Sequence, residues 1–515
     1  MSSEALSRTM PDRSSADPFW LDGERWQLFK SRGAKFFGAL LFAYGFLIVV
    51  YALVGASWWF TGVNCGLFCV VLAIYFSADD PLVYFVITHP TWLFFFSSYL
   101  YSAANLQTVD EGLFNPQRSI TIAVVYQAAC ITAFIIFYAL QQVFHLRRRP
   151  LRQFLALQRH EVTFITIGIL GSIIGNLSTE TVASVGEEAQ LFLWLGAALH
   201  MLRRGSFKLD LATVATGVVF VLVAVVTNSR TIVLQGFLFV FLACAFWKKR
   251  LVTIESIIAI YLVMCAVNVF STVTLDIRLN GGRESRISML PQYADRVFNA
   301  ETIVAMLNPF SSFPSQRNVR SMGRMSNDEH FWYPYFGASD TLANRAVQLP
   351  LLDIVCGTVG AVQEINWKEF ENLFMSTLPN LGQKKDLVYS DELTWDLGLR
   401  DYGVIGRPML TNACELYTMG GLGTMYIIAT VEFAVVLLLI AILQAQLRYR
   451  SLYVITLGLT LPYLTVTTSA LAITVGVFRS LPIMIFVIWL MKRATLTMLT
   501  TESLSLRAKP RHFLP

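Results

Sequence analysis

Residues 424–447 read TMYIIATVEFAVVLLLIAILQAQL, a run whose only charged residue is Glu432. Such a run is long enough to cross the ~30 Å hydrocarbon core of a bilayer as one helix. Working outward, similar runs fall near Phe36–Val54, Trp59–Phe76, Leu82–Tyr101, Ile120–Leu140, Val162–Leu177, Ala189–Leu202, Leu211–Val226, Thr231–Trp247, Leu251–Val273, Leu452–Ile473 and Leu481–Met491. The expected fold is an all-α polytopic membrane protein of about twelve transmembrane helices. The fifth, sixth and twelfth runs are short, and the fifth and sixth suit tilted, extended or re-entrant segments.

Composition agrees. Over 515 residues the chain is 55% hydrophobic and 14% charged, with a mean hydropathy of +0.55, too apolar for an ordinary soluble enzyme. The net charge of +6 is no sign of nucleic acid, because the basic residues gather on one side of the threaded spans. That side holds Arg25, Lys30, Arg32 and Lys35, the 147–159 loop, Arg203 and Arg204, Lys248 to Arg250, Arg448 and Arg450, and the C-terminal tail. The positive-inside rule makes it cytoplasmic, as parity of the spans also requires. The expected organisation is a cytoplasmic tail over 1–35, spans one to nine over 36–273, a large external loop over 274–423, spans ten to twelve over 424–492, and a cytoplasmic tail over 493–515. No cleavable signal peptide is visible, and the first run reads as an uncleaved signal anchor.

Cys65, Cys69, Cys130, Cys244 and Cys265 lie in spans, whereas Cys356 and Cys414 lie in the loop, where a disulfide is open to them. No CxxC pair, HExxH, P-loop or GxSxG occurs, so zinc, nucleotide and serine-hydrolase readings have no motif, and no cofactor is expected. Chemistry at an outer membrane face without such motifs suits lipid-linked sugars, whose diphosphate needs cations. Arginine supplies a rigid fork that stays charged. Arg230 stands in a very short external connection, Arg479 just before the last span, and Arg283 and Arg286 beside Gly281 and Gly282. Each also reads as a snorkelling or solvated cation. The run Phe331-Trp332-Tyr333-Pro334-Tyr335-Phe336 offers flat faces to sugar rings, or a belt dipping into headgroups.

Inside the loop, Thr341–Arg345 leads a helical pattern over 346–361, and the stretch Phe370–Leu378 follows. Pro379, a Lys384-Lys385-Asp386 turn and an acidic patch come next, before Ala413–Gly423 opens span ten. Asp391, Glu392 and Asp401 read as a solvated face.

This arrangement resembles the O-antigen polymerase group, the oligosaccharide repeat-unit polymerases of bacterial surface polysaccharide pathways. The residues that carry the likeness are Ser229-Arg230, Arg345, Leu378-Pro379, Lys384 and Lys385, and Glu415-Leu416-Tyr417 with Gly420 and Gly423. It covers about residues 228–428 in motif terms, and Asn380 and Asp386 depart from the family's Arg and Pro. The resemblance implies a GT-C-like, metal-independent polymerase of the inner membrane, with the large loop periplasmic between spans nine and ten. A growing chain on polyprenyl diphosphate would be transferred to a lipid-linked repeat unit, building O-antigen, capsule or exopolysaccharide. It implies Arg230, Arg345 and Glu415 as catalytic groups. Arg283, Arg286, Arg407, Arg479, Lys384, Lys385, Trp332, Tyr333 and Tyr417 would bind substrate, with a chain-length regulator and a flippase as partners. Glu415 has its own alternative, a structural hydrogen bond at a helix start. O-antigen ligases place a histidine where Glu415 stands, and the loop's only histidine is His330. A transporter or flippase is the competing class, with Glu432 as its proton-coupling group or a hydrogen-bonded buried acid; a noncatalytic carbohydrate-binding or scaffold subunit is a third.

Overall fold

The computed structural model describes residues 18–104, 108–110, 113–143, 161–177, 191–204, 230–247, 254, 258, 261, 348–362, 364–378, 389–397, 410–447, 450–461, 464, 469–490 and 493. Every regular element among them is helical. Among the described residues, five helices are long and apolar enough to cross a membrane: Gly23–Val54, Trp58–Ser77, Pro116–Gln141, Asn412–Gln446 and Ala470–Leu490.

Helix α1 (Pro18–Val54) and α2 (Trp58–Ser77) form a hairpin that turns at Gly55, whose φ of 114° suits only glycine. Their inner faces meet through Tyr44, which donates to Asn64 Oδ1 at 2.8 Å, while Phe42, Leu53 and Trp58 stay exposed. Large apolar side chains left bare on long helices are what lipid covers.

Next come α3 (Pro81–Pro90), a π-helical turn (Thr91–Phe96) and α4 (Ser97–Ala104). The expected span over 82–101 is therefore interrupted, and Pro90 supplies a reason. It has no N–H for the Val86 carbonyl, which accepts from His89 Nδ1 at 2.7 Å instead. One residue on, the Ile87 carbonyl and the Thr91 N–H are both taken by the Gln127 side chain, at 2.9 and 3.1 Å. One amide thus satisfies both ends of an opened helical bond.

Gln127 belongs to α5 (Pro116–Val143). Helices α6 (Glu161–Leu177) and α7 (Leu191–Arg204) pack closely, for a Cβ on Gly196 would fall 2.9 Å from the Glu161 carbonyl. Their contact also buries His200 against Glu161, at 3.5 Å. Helix α8 (Arg230–Trp247) ends where Arg25 and Arg32 of α1 donate to the carbonyls of Trp247 and Ala245, at 3.4 and 2.6 Å. Basic groups on terminal carbonyls complement the helix dipole.

The expected loop contributes α9 (Leu349–Val359), α10 (Trp367–Met375) and α11 (Tyr389–Asp396). Asp353 of α9 is fully buried and accepts the N–H groups of Phe114 and Asn115, at 2.6 and 3.0 Å, just ahead of α5. We expect Asp353→Ala to lower stability by about 2 kcal/mol, since two donors lose their acceptor. Thermal unfolding in detergent measures this, and Asp353→Asn, which keeps one acceptor, should cost less.

Helix α12 (Asn412–Gln446) starts well ahead of the expected Thr424. The last two expected spans, 452–473 and 481–491, are also divided differently. Helix α13 (Arg450–Thr460) is short, and α14 (Ala470–Val475) runs through a π-helical turn (Gly476–Ser480) into a continuous span to Leu490. Near the start of α13, Tyr453 donates to Asp80 at 2.7 Å, and Gln444 of α12 does so at 2.9 Å, so the α2–α3 turn is fastened to the end of α12.

Candidate functional site

The site is built by a reversal inside α12. Gly421 has φ 75° and ψ −172°, a region open in practice only to glycine. Asn412 and Glu432 would stand about 30 Å apart on an unbroken helix at ~1.5 Å per residue. Instead Asn412 Nδ2 donates to Glu432 Oε2 at 3.0 Å, so the chain doubles back at Gly420–Gly421. The short arm, 412–419, is capped by Thr411, whose hydroxyl accepts the Cys414 N–H at 3.1 Å. At the reversal, Met419 O accepts the Asn366 N–H at 2.8 Å.

Around this reversal lies a buried polar network. Glu432 accepts from Asn412 and, through Oε1, from Thr474 of α14 at 2.8 Å. Asn412 also donates to Tyr126 of α5 at 2.9 Å. The rings of His89 and Phe433 pack at 5.5 Å beside Tyr126. Since His89 Nδ1 faces a carbonyl and must donate, its Nε2 is an acceptor. An acid inside an apolar span is costly unless bonded, and Glu432 has partners on both oxygens.

Glu415 lies on the short arm and is 1% exposed. Its Oε2 accepts the Ala470 N–H at 3.0 Å, one of the orphan donors that open α14. This is the structural hydrogen bond at a helix start, made to the neighbouring helix rather than to its own. Oε1 of Glu415 and Oδ1 of Asn412 are buried with no hydrogen-bond partner among the described residues. Asp391 is 2% exposed and lies in electrostatic range of Glu415, which corrects its reading as part of a solvated face; Glu392 is half-buried. Chemically, the arrangement is a set of buried carboxylates with one acceptor oxygen left for a proton.

Tyr417 donates its hydroxyl to the Gly360 carbonyl at 2.8 Å, fastening the end of α9 to the short arm. Gly423, expected as one of the paired glycines, has open space where a side chain would go, so the demanding position is Gly421. Arg479 lies in the π-helical turn, half-buried, with Nη1 3.4 Å from the carbonyl of Ser376, the residue that caps the C-terminus of α10. Arg230 is the first residue of α8. Arg283, Arg286, Trp332, Tyr333, Arg345, Lys384, Lys385 and Arg407 lie outside the described residues. Among those that are described, no group of three or more His, Cys, Asp or Glu is placed to hold a metal ion.

Sequence reasoning passed over Asn412, Tyr126, Thr474 and Asp353. A signal existed for Asp353, a lone acid in the apolar run Leu349–Val359, and for the polar pair Tyr126-Gln127 in span four. Fold and network together define a helical, multi-pass membrane protein with a buried acidic site. Comparison with known protein families, curated proteins and solved structures finds no match.

Proposed function

We propose that this protein polymerises lipid-linked oligosaccharide repeat units at the outer face of a bacterial inner membrane. In this reading it is a GT-C-like transferase of about twelve spans. The growing chain leaves its polyprenyl diphosphate, and the acceptor's terminal hydroxyl attacks the anomeric carbon. Arg230 and Arg345 neutralise the departing diphosphate, and Glu415 takes the hydroxyl proton through Oε1.

One observation supports the reading most. The element that bears the resemblance, Glu415 to Gly423, is where loop segments and spans are joined: Tyr417 to Gly360, Met419 to Asn366, Glu415 to Ala470. A catalytic loop over a membrane-embedded donor needs such an anchorage.

Transport is the second reading, and the Glu432 network favours it. Interrupted helices meeting at buried polar groups are how many transporters build a coupling site.

The test is the surface polysaccharide profile of cells lacking the gene, complemented with wild type, Arg230→Ala or Arg345→Ala at equal membrane expression. Each arginine variant is expected to leave ~10²–10³-fold less polymer and to accumulate single repeat units. Long polymer in the deletion, or precursors held on the cytoplasmic face, would make transport the better account.

A further inference from the structure

Cys356 on α9 and Cys414 on the short arm of α12 are both fully buried, and their thiols lie in electrostatic range of each other. Far apart in sequence, they meet because α9 and the short arm are already fastened at Gly360–Tyr417. Cys414 Sγ also accepts from the Thr411 hydroxyl at 2.9 Å, which fixes its direction. On the carbonyl side of Cys356, Arg118 Nη1 lies at 3.3 Å and holds the same turn of α9 against α5.

Two neighbouring buried thiols on helices that are already fastened together are one short step from a disulfide. Whether it takes that step depends on the compartment: oxidising outside the cytoplasm, reducing within it. We propose that Cys356 and Cys414 form a disulfide that clamps α9 to the helical arm carrying Glu415 and Tyr417.

Two thiols lose two protons and two electrons as one S–S bond forms. The electrons pass to the disulfide of a protein thiol oxidant, through a mixed disulfide, and leave it as a dithiol. Both thiols are fully buried, out of reach of a protein oxidant once the protein is folded. The bond therefore forms as the loop folds, while both sulfurs are still open to the oxidant. The inference rests on the reading that this end of the molecule faces outside, and not on the reaction proposed above.

Full-length protein in membranes is denatured with N-ethylmaleimide to block free thiols, then reduced and treated with a polyethylene-glycol maleimide. An immunoblot counts the additions. Wild type is expected to gain two additions that depend on the reductant, and Cys356→Ser and Cys414→Ser none. Absence of reductant-dependent additions in wild type overturns the proposal, as does their persistence in either serine variant. The arginine variants are scored for polymer separately, so loss of one reading leaves the other standing.

Discussion

Replacing Glu415 by glutamine should leave a folded protein that makes ~10²–10⁴-fold less polymer, the range that general acid–base groups supply. The glutamine carbonyl can still accept the Ala470 N–H, so the start of α14 stays held. Glu415→Ala loses both functions, and its buried donor left unpaired costs about 1–3 kcal/mol besides. The two variants separate one carboxylate's jobs. Thermal unfolding in detergent ranks Ala below Gln, whereas polymer yield puts both near zero. If Gln retains wild-type yield, Glu415 is a cap for α14 and takes no proton.

Gly421→Ala is expected to destabilise the protein by about 3 kcal/mol, the upper end for a residue forced into a glycine-only conformation. An added Cβ would also lie 3.1 Å from the Val362 carbonyl, where backbone has little freedom to move away. Gly423→Ala should be nearly silent, because nothing stands within 4 Å of its Cβ. The pair shares a helix and a sequence neighbourhood, so unequal unfolding temperatures would trace the effect to the reversal itself. Equal losses would mean that the effect is not specific to the reversal.

Hydropathy alone finds α1, α2 and α5, because each is an unbroken apolar run with one helix in it. It fails where a run hides an interruption. The expected span over 82–101 contains a π-helical turn set by Pro90 and Gln127, and the period of apolar residues does not register a bond traded to a side chain forty residues on. The start of α12 was missed for a related reason. An arm that doubles back is as apolar as a loop helix, and the non-helical backbone of Gly420 and Gly421 tells them apart.

The candidate site divides along the same line. Glu415 and Tyr417 were singled out by position, yet both make bonds that hold helices together. Glu432 was visible as a lone acid, but its partners Asn412 and Thr474 come from elements whose proximity depends on the reversal. Asp391 looked solvated because its neighbours in sequence are acidic, whereas its neighbours in space bury it. Tertiary placement decided each case, and a single sequence carries little trace of it.

The central claim is tested most directly by purified protein in liposomes supplied with lipid-linked repeat units at the face that carries α9 and α10. The account predicts a ladder of lengthening polymer on a gel, formed in the presence of a metal chelator and absent with Arg345→Ala. Repeat units that remain single while crossing to the opposite leaflet would contradict it.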